Sequence, residues 1–112
     1  MRCTLSFADK KIKAEWDRLS ASGKGEDKKL VLMLNRAFDA IEADCRFGVY
    51  IQKKKIPKYY TKKYGELPNL WKYNLSDSWR LVYFIAGEGG DPVSVVVEWM
   101  NHREYDRRFG YA

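Results

Sequence analysis

Two apolar segments, residues 79–86 and 93–100, constrain the fold more than any other feature of the sequence. Both are rich in aromatic and β-branched residues, and the turn-forming sequence 87–92 separates them. This pattern predicts two antiparallel strands joined by a turn. Because the strands are apolar on both faces, helices must cover at least one side of their sheet.

Upstream segments extend the predicted sheet. Residues 70–75 form a third strand, and the serine-rich sequence 76–78 is a tight turn that leads into residues 79–86. The three strands make an antiparallel meander. Residues 2–7 are a candidate for a further strand at the sheet edge.

The first half of the chain predicts two helices, over residues 9–21 and about 26–45. Asp9 suits an N-cap, and Gly48 follows the second helix. The apolar stripes consist of Ile12, Trp16 and Leu19 in the first helix, and of Leu30, Met33, Leu34, Ala37, Phe38, Ile41 and Cys45 in the second. A helix hairpin followed by a meander predicts a single α+β domain over residues 1–112.

The connection between helices and meander has an unusual charge pattern, because residues 46–65 contain no acidic side chain. Pro57 begins a short predicted helix, which Gly65 and Pro68 end. One interpretation is a helix with its lysines outward and its tyrosines inward; the other is a phosphate-binding, RNA-binding surface interleaved with aromatics. The lysines concerned are Lys53, Lys54, Lys55, Lys58, Lys62 and Lys63.

The overall charge also favours a polyanionic partner. The 112 residues carry a formal net charge of +6. We interpret the two cysteines, Cys3 and Cys45, as small buried hydrophobic residues that make no disulfide framework. The opening residues lack the apolar core of a signal peptide, and no stretch has the length of a membrane span, so we expect a reducing, cytoplasmic setting.

Metal and nucleotide chemistry have no sequence support. His102 is the one histidine in the chain, the two cysteines lack the spacing of metal ligands, and no carboxylate cluster is evident. The glycine-rich motifs of nucleotide-binding loops do not occur. We therefore expect neither a metal nor a cofactor.

Two cations lie on adjacent predicted strands. Strand alternation places Lys72 on one face of its strand, and a tight hairpin makes it a neighbour of Arg80 if the two faces coincide. An arginine inside an apolar strand needs a partner, and an ion pair with Asp77 or Glu98 is the alternative to a functional role.

The C-terminal segment 101–111 is polar, aromatic and basic. A solvated helix of mixed charge is one interpretation. The other is chemical: RNA cleaves itself when its 2′-hydroxyl loses a proton, the phosphate charge is stabilised and the 5′-oxygen gains a proton. Histidine, arginine and tyrosine supply these functions without a metal.

Four strings resemble the RelE/ParE toxin superfamily, most closely its RelE-like branch of translational repressors. They are NLWKYNL at 69–75, WRLVY at 79–83, EW at 98–99 and HREY at 102–105. The order of elements matches over nearly the whole chain. The resemblance implies a RelE-like fold, with an N-terminal helix hairpin packed on a small antiparallel sheet and a short charged C-terminal tail.

The resemblance also implies a function. Such proteins are toxins of type II toxin–antitoxin systems; RelE-type members cut mRNA in the ribosomal A site, and an acidic antitoxin protein blocks them. By position, Arg80 resembles the strand arginine that contacts the scissile phosphate, and Lys72 a strand lysine of the active surface. Arg103 resembles the arginine that follows the last strand, while His102 and Tyr105 lie where members place a residue for proton transfer.

The sequence departs from the family in ways that leave alternatives open. Asn74 replaces a second active-site lysine of some members, and Phe109 or Tyr111 could occupy the aromatic position assigned to Tyr105. The ParE branch shares the fold but inhibits DNA gyrase without cleaving RNA. An inactive relic that binds RNA or an antitoxin is a further alternative.

Overall fold

The computed structural model describes residues 1–87 and 89–111, and within them the chain forms four α-helices and a five-stranded mixed sheet. Glu88, in the predicted turn at 87–92, lies outside the described residues. The helices are α1 (Lys10–Ala21), α2 (Gly25–Ala43), α3 (Lys58–Tyr64) and α4 (His102–Phe109), and the strands are β1 (Thr4–Phe7), β2 (Val49–Tyr50), β3 (Trp71–Asn74), β4 (Trp79–Ala86) and β5 (Val93–Asn101).

The sheet contains the predicted meander and two further strands. Its order is β1-β5-β4-β3-β2, and β3, β4 and β5 pair antiparallel as predicted. The edge strand predicted over residues 2–7 is confirmed, but β1 pairs parallel with β5, so the expectation of a purely antiparallel sheet is wrong. The parallel pairing is possible because the long connection from β1 to β5 contains the rest of the fold. β2 pairs antiparallel with β3 and was not predicted, since two residues carry no strand pattern.

The predicted helix hairpin covers one face of the sheet. α1 begins where Asp9 accepts a hydrogen bond from the amide of Ile12 at 2.9 Å, which confirms the predicted N-cap. The apolar stripe of α2 packs with Leu19 against Leu81 and Tyr83 of the sheet. α2 ends at Ala43, two residues earlier than predicted, because Asp44 caps a separate 3-10 turn at Cys45–Phe47.

The other two helices, α3 and α4, cover the opposite face. α3 runs from Pro57, its N-cap, to Gly65, its C-cap, as predicted. The charged tail is helical: Asn101 caps α4 by accepting a hydrogen bond from the amide of Glu104, and Gly110 ends the helix in a left-handed conformation. Tyr60 of α3 and Tyr105 of α4 pack with Val82 and Met100 in a second core.

The two cysteines are joined, contrary to the expectation that they make no disulfide. Cys3 lies just before β1 and Cys45 just after α2, with a Cα–Cα distance of 5.9 Å, and their sulfurs form a disulfide. The pairing was missed because only the packing of β1 beside the end of α2 brings the two positions together. Cys45 is fully buried, as expected. Among the described residues, no helix combines the length and apolar character that crossing a membrane requires.

Candidate active site

The β3–β4 hairpin brings three polar side chains to the face that α3 and α4 cover. Lys72 is in register with Val82, and Asn74 with Arg80, so Lys72 and Arg80 share a face. The Lys72 ammonium donates a hydrogen bond to the Asn74 side-chain carbonyl at 3.2 Å. The hairpin therefore places two cations and one amide side by side at the end of the sheet.

The guanidinium of Arg80 is held by backbone carbonyls rather than by a carboxylate. Its Nη1 donates to the carbonyl of Ser76 at 2.8 Å and to those of Asp77 and Trp79 at 3.2 Å each. Within residues 1–87 and 89–111, Arg80 makes no ion pair, so the alternative of a pair with Asp77 or Glu98 is wrong. Its Nε and Nη2 make no hydrogen bond in that part of the chain, and this pair of donors is a fork suited to phosphate oxygens.

Tyr105 of α4 lies over the same face. The Lys72 ammonium is 5.8 Å from the centre of its ring, and the side chain is only 5% exposed. Burial raises the pKa of Tyr105 to about 12; nearby Tyr111 adds to this rise and the Arg80 charge opposes it. Tyr105 consequently keeps its proton at neutral pH, beside the two cations.

The other two predicted tail residues begin α4. The His102 amide donates to the Ser78 carbonyl at 2.8 Å, which fixes the start of the helix against the β3–β4 turn. His102 and Tyr105 are three positions apart and share one side of α4. Arg103 is exposed and two positions from Tyr105, so it faces a different side of the helix. The structure thus groups Lys72, Arg80 and Tyr105, with His102 beside them, and leaves Arg103 apart.

A β-bulge in β5 places the carboxylate of Glu98 on the face of the sheet that α4 covers. Val82 pairs with Glu98 and Tyr83 with Val96, which leaves Val97 as the extra residue. The bulge turns Glu98 to the face of α4, where its carboxylate accepts a hydrogen bond from Arg108. Nothing in the sequence pattern relates these two residues, because strict alternation from Val96 would turn Glu98 toward the helix hairpin.

The Arg108 guanidinium also stacks on α3. Its central carbon lies 3.7 Å from the ring centre of Tyr59, so the pair joins the C-terminal turn of α4 to α3. Beneath it, the Tyr60 hydroxyl is fully buried and has no hydrogen-bond partner within the described chain. Burial, together with the charge of Glu98, raises the pKa of Tyr60 far above its ordinary range.

The six predicted RNA-binding lysines divide into two groups. Lys53 forms an ion pair with Glu66 at 3.2 Å, and Lys63 pairs with Asp9 at 3.6 Å. Lys54, Lys55 and Lys58 line a groove against the end of α4, whereas Lys62 is exposed outside it. The tyrosines of α3 are also divided, since Tyr60 is buried and Tyr59 is exposed, so both interpretations of this segment describe part of it.

Over residues 1–87 and 89–111, no three histidine, cysteine or acidic side chains come together as metal ligands would. Comparisons of the chain with protein-family models, with curated proteins and with solved structures found no match. The interpretation of the site therefore depends on its own geometry.

Proposed function

We propose that this protein is a toxin of a type II toxin–antitoxin system, with a RelE-like fold, that cuts mRNA without a metal. The observation that carries the proposal is the convergence of Lys72, Arg80 and Tyr105 on one face of the sheet. A doubly cationic surface beside a protonated phenol matches what RNA cleavage requires, namely charge stabilisation at phosphate and a proton donor.

The proposed reaction assigns one role to each residue. His102 takes the proton from the 2′-hydroxyl, whose oxygen attacks the adjacent phosphorus. Arg80, through Nε and Nη2, and Lys72 stabilise the additional negative charge on the phosphate. The bond to the 5′-oxygen then breaks as Tyr105 donates its proton to that oxygen, leaving a 2′,3′-cyclic phosphate and a 5′-hydroxyl. Arg103, exposed at the start of α4, contacts substrate outside this cluster.

The substrate is mRNA on the ribosome, and the protein acts in the cytoplasm. The two cations of the active face, which consists of Lys72, Arg80 and Tyr105, make no ion pair among the described residues and favour an inhibitor with Asp and Glu side chains, which is the expected character of a cognate antitoxin. A short acidic reading frame beside the gene, whose product binds this protein and restores growth, is the corresponding genetic observation.

The deciding experiment is single-turnover cleavage of mRNA on programmed ribosomes. We expect Arg80→Ala to slow cleavage by roughly a hundredfold or more, as loss of a preorganised charge donor does. Arg80→Lys should restore little, because lysine lacks the fork. Arg36→Ala removes an exposed arginine of α2 and is the matched control. Full activity of Arg80→Ala would contradict the proposed site.

Two further outcomes concern the alternatives. Inhibition of gyrase supercoiling by the wild-type protein, without RNA cleavage, would replace the proposal with the ParE-like function. A protein that neither cleaves mRNA nor inhibits gyrase, but binds its antitoxin tightly, would be the inactive relic. Mapping the ends of the cleaved mRNA adds an independent test, since the mechanism requires a 5′-hydroxyl on the downstream fragment.

A further inference from the structure

A groove of about 520 Å³ lies between residues 54–59 and the C-terminal end of α4. Its wall on one side carries the ammonium groups of Lys54, Lys55 and Lys58. The other wall carries Tyr111, and the stacked pair Tyr59–Arg108 joins the two sides. Cations and aromatic rings thus line one depression.

Unlike the neighbouring Lys53 and Lys63, the lysines of the groove make no ion pair within the described residues. These lysines are Lys54, Lys55 and Lys58, and all three are exposed. Three uncompensated charges on one wall attract an anion with repeated charges.

Tyr111 is held in a fixed backbone conformation but is exposed to solvent. Its amide donates to the Asp106 carbonyl at 2.7 Å, just after Gly110 in its left-handed conformation, so its backbone is fixed. The residue is nevertheless 59% exposed. A ring held in place by its backbone with an open face is a surface on which a base can stack.

The groove is continuous with the active face. The ring centre of Tyr111 is 6.3 Å from those of Tyr105 and Phe109, and the latter two rings stack at 4.2 Å. Tyr105 in turn contacts the Lys72 ammonium. This row of rings therefore connects the proposed cleavage site to the groove, and its exposed end is Tyr111.

We propose that this groove binds single-stranded RNA that flanks the scissile phosphate, with Lys54, Lys55 and Lys58 on phosphates and Tyr111 under a base. The inference rests on the proposed function for the position of the scissile phosphate. Single-stranded RNA fits better than a duplex because the aromatic side chains need unpaired bases. It also fits better than an acidic peptide, because the side chains of Asp and Glu have no flat ring that could stack on Tyr111.

The test compares two triple variants that remove the same charge. Lys54, Lys55 and Lys58 are changed to Gln in one, and Lys24, Lys28 and Lys29, exposed lysines near the start of α2, in the other. The probe is a fluorescent 2′-O-methyl oligouridylate of about 12 nucleotides, which cannot be cleaved and lies within the usual range of single-strand site sizes, about 4–16 nucleotides. Anisotropy at several salt concentrations gives the dissociation constant, and thermal unfolding verifies that each variant is folded.

We expect the groove variant to bind weakly and the control variant to bind like the wild type. The slope of log affinity against log salt should fall by about 2 in the groove variant, since each single-strand phosphate contact contributes about 0.7. Tyr111→Ala should weaken binding by about tenfold through lost stacking. Equal losses in the two triple variants would overturn the groove.

Competition with the bound probe distinguishes the possible ligands of the groove. Comparing probe binding with mRNA cleavage distinguishes failure of the groove from failure of the proposed function. Displacement of the probe by an RNA duplex or by polyglutamate as readily as by unlabelled single strand would overturn the single-stranded assignment. Binding of the probe through the groove by a protein that does not cleave mRNA would refute the proposed function and leave the groove in place. Cleavage by wild type and groove variant at equal rates, with equal probe affinity, would refute the groove alone.

Discussion

Tyr105 is the residue whose environment most directly specifies a chemical role. It is buried between Lys72 on the sheet and the rings of Phe109 and Tyr111, and burial raises its pKa to about 12. A phenol that retains its proton at neutral pH is a donor and a poor base. A guanidinium is a hydrogen-bond donor that does not transfer protons in proteins, so Arg80 and Tyr105 have separate functions.

A modified leaving group tests that separation. We expect Tyr105→Phe to slow mRNA cleavage by roughly a hundredfold, the usual contribution of a general acid. If the 5′-oxygen at the scissile bond is replaced by sulfur, which leaves without needing a proton, Tyr105→Phe should regain nearly the wild-type rate. Single-turnover rates on both substrates measure the effect.

His102→Ala is the matched control, because a residue that removes the 2′ proton is required whatever atom leaves. We expect it to be slow on both substrates, as Arg80→Ala should be. A defect in Tyr105→Phe that is equally large with sulfur would contradict the role of proton donor. Full activity of His102→Ala on the normal substrate would assign proton removal to another residue.

At the scale of elements, α4 is positioned by its first turn. The Asn101 side chain accepts a hydrogen bond from the Glu104 amide at 2.9 Å, and the His102 amide is bonded to the β3–β4 turn. α1 begins in the same way, with Asp9 accepting from the Ile12 amide. The two caps are chemically alike, but only α4 carries residues of the proposed site.

Removing either cap should therefore have a similar effect on stability, whereas only removal of the α4 cap should affect activity. Asn101→Ala and Asp9→Ala should each lower the free energy of unfolding by about 1 kcal/mol, the usual effect of losing an N-cap. Asn101→Ala should also reduce mRNA cleavage, because the start of α4 orients His102 and Tyr105. Urea unfolding and single-turnover cleavage measure the two effects. Equal activities in the two variants would show that α4 does not depend on its cap for orientation.

Elements with long sequence patterns were predictable, and those that depend on distant contacts were not. The period of 3.6 residues in α2 and the apolar runs of β4 and β5 persist long enough to identify each element. The parallel direction of β1, the two-residue strand β2 and the Cys3–Cys45 pairing depend on which segments pack together. Local propensity contains no information of that kind.

The candidate site shows the same division. The neighbourhood of Lys72 and Arg80 was predictable because a tight turn fixes the register between β3 and β4. The position of Tyr105 relative to them depends on the angle of α4, and the position of Arg108 depends on the bulge at Val97. The sequence also identified the lysine-rich segment without indicating which lysines have acidic partners.

Across the whole molecule, buried tyrosines make stability sensitive to alkaline pH. Burial raises the pKa values of Tyr83 and Tyr105 to about 12 each. In the unfolded chain these phenols lose their protons near pH 10. The folded protein holds the protons more tightly, so this contribution is complete below pH 10 and is lost as pH rises toward 12.

We therefore expect the free energy of unfolding to fall between about pH 10 and pH 12, with a slope that approaches one proton for each such tyrosine. Urea unfolding at a series of pH values measures the slope. Tyr105→Phe should have a slope shallower by about one proton, while Lys62→Gln, an exposed control on α3, should match the wild type. Stability that is constant over this interval would contradict the protonated state assigned to Tyr105.

The parallel pairing of β1 with β5 determines at what stage of synthesis the active face can form. Thr4 to Phe7 find their partners only at Val93 to Val96, so most of the chain must be synthesised before the sheet can close. Contacts so distant in sequence form slowly, because their loop-closure entropy is lost before they stabilise anything. α4 follows β5 directly, so His102 and Tyr105 reach the hairpin of Lys72 and Arg80 in the same late step. A partly synthesised chain therefore has the lysine-rich segment but no assembled reaction centre, which confines any catalytic activity to molecules whose synthesis has passed α4.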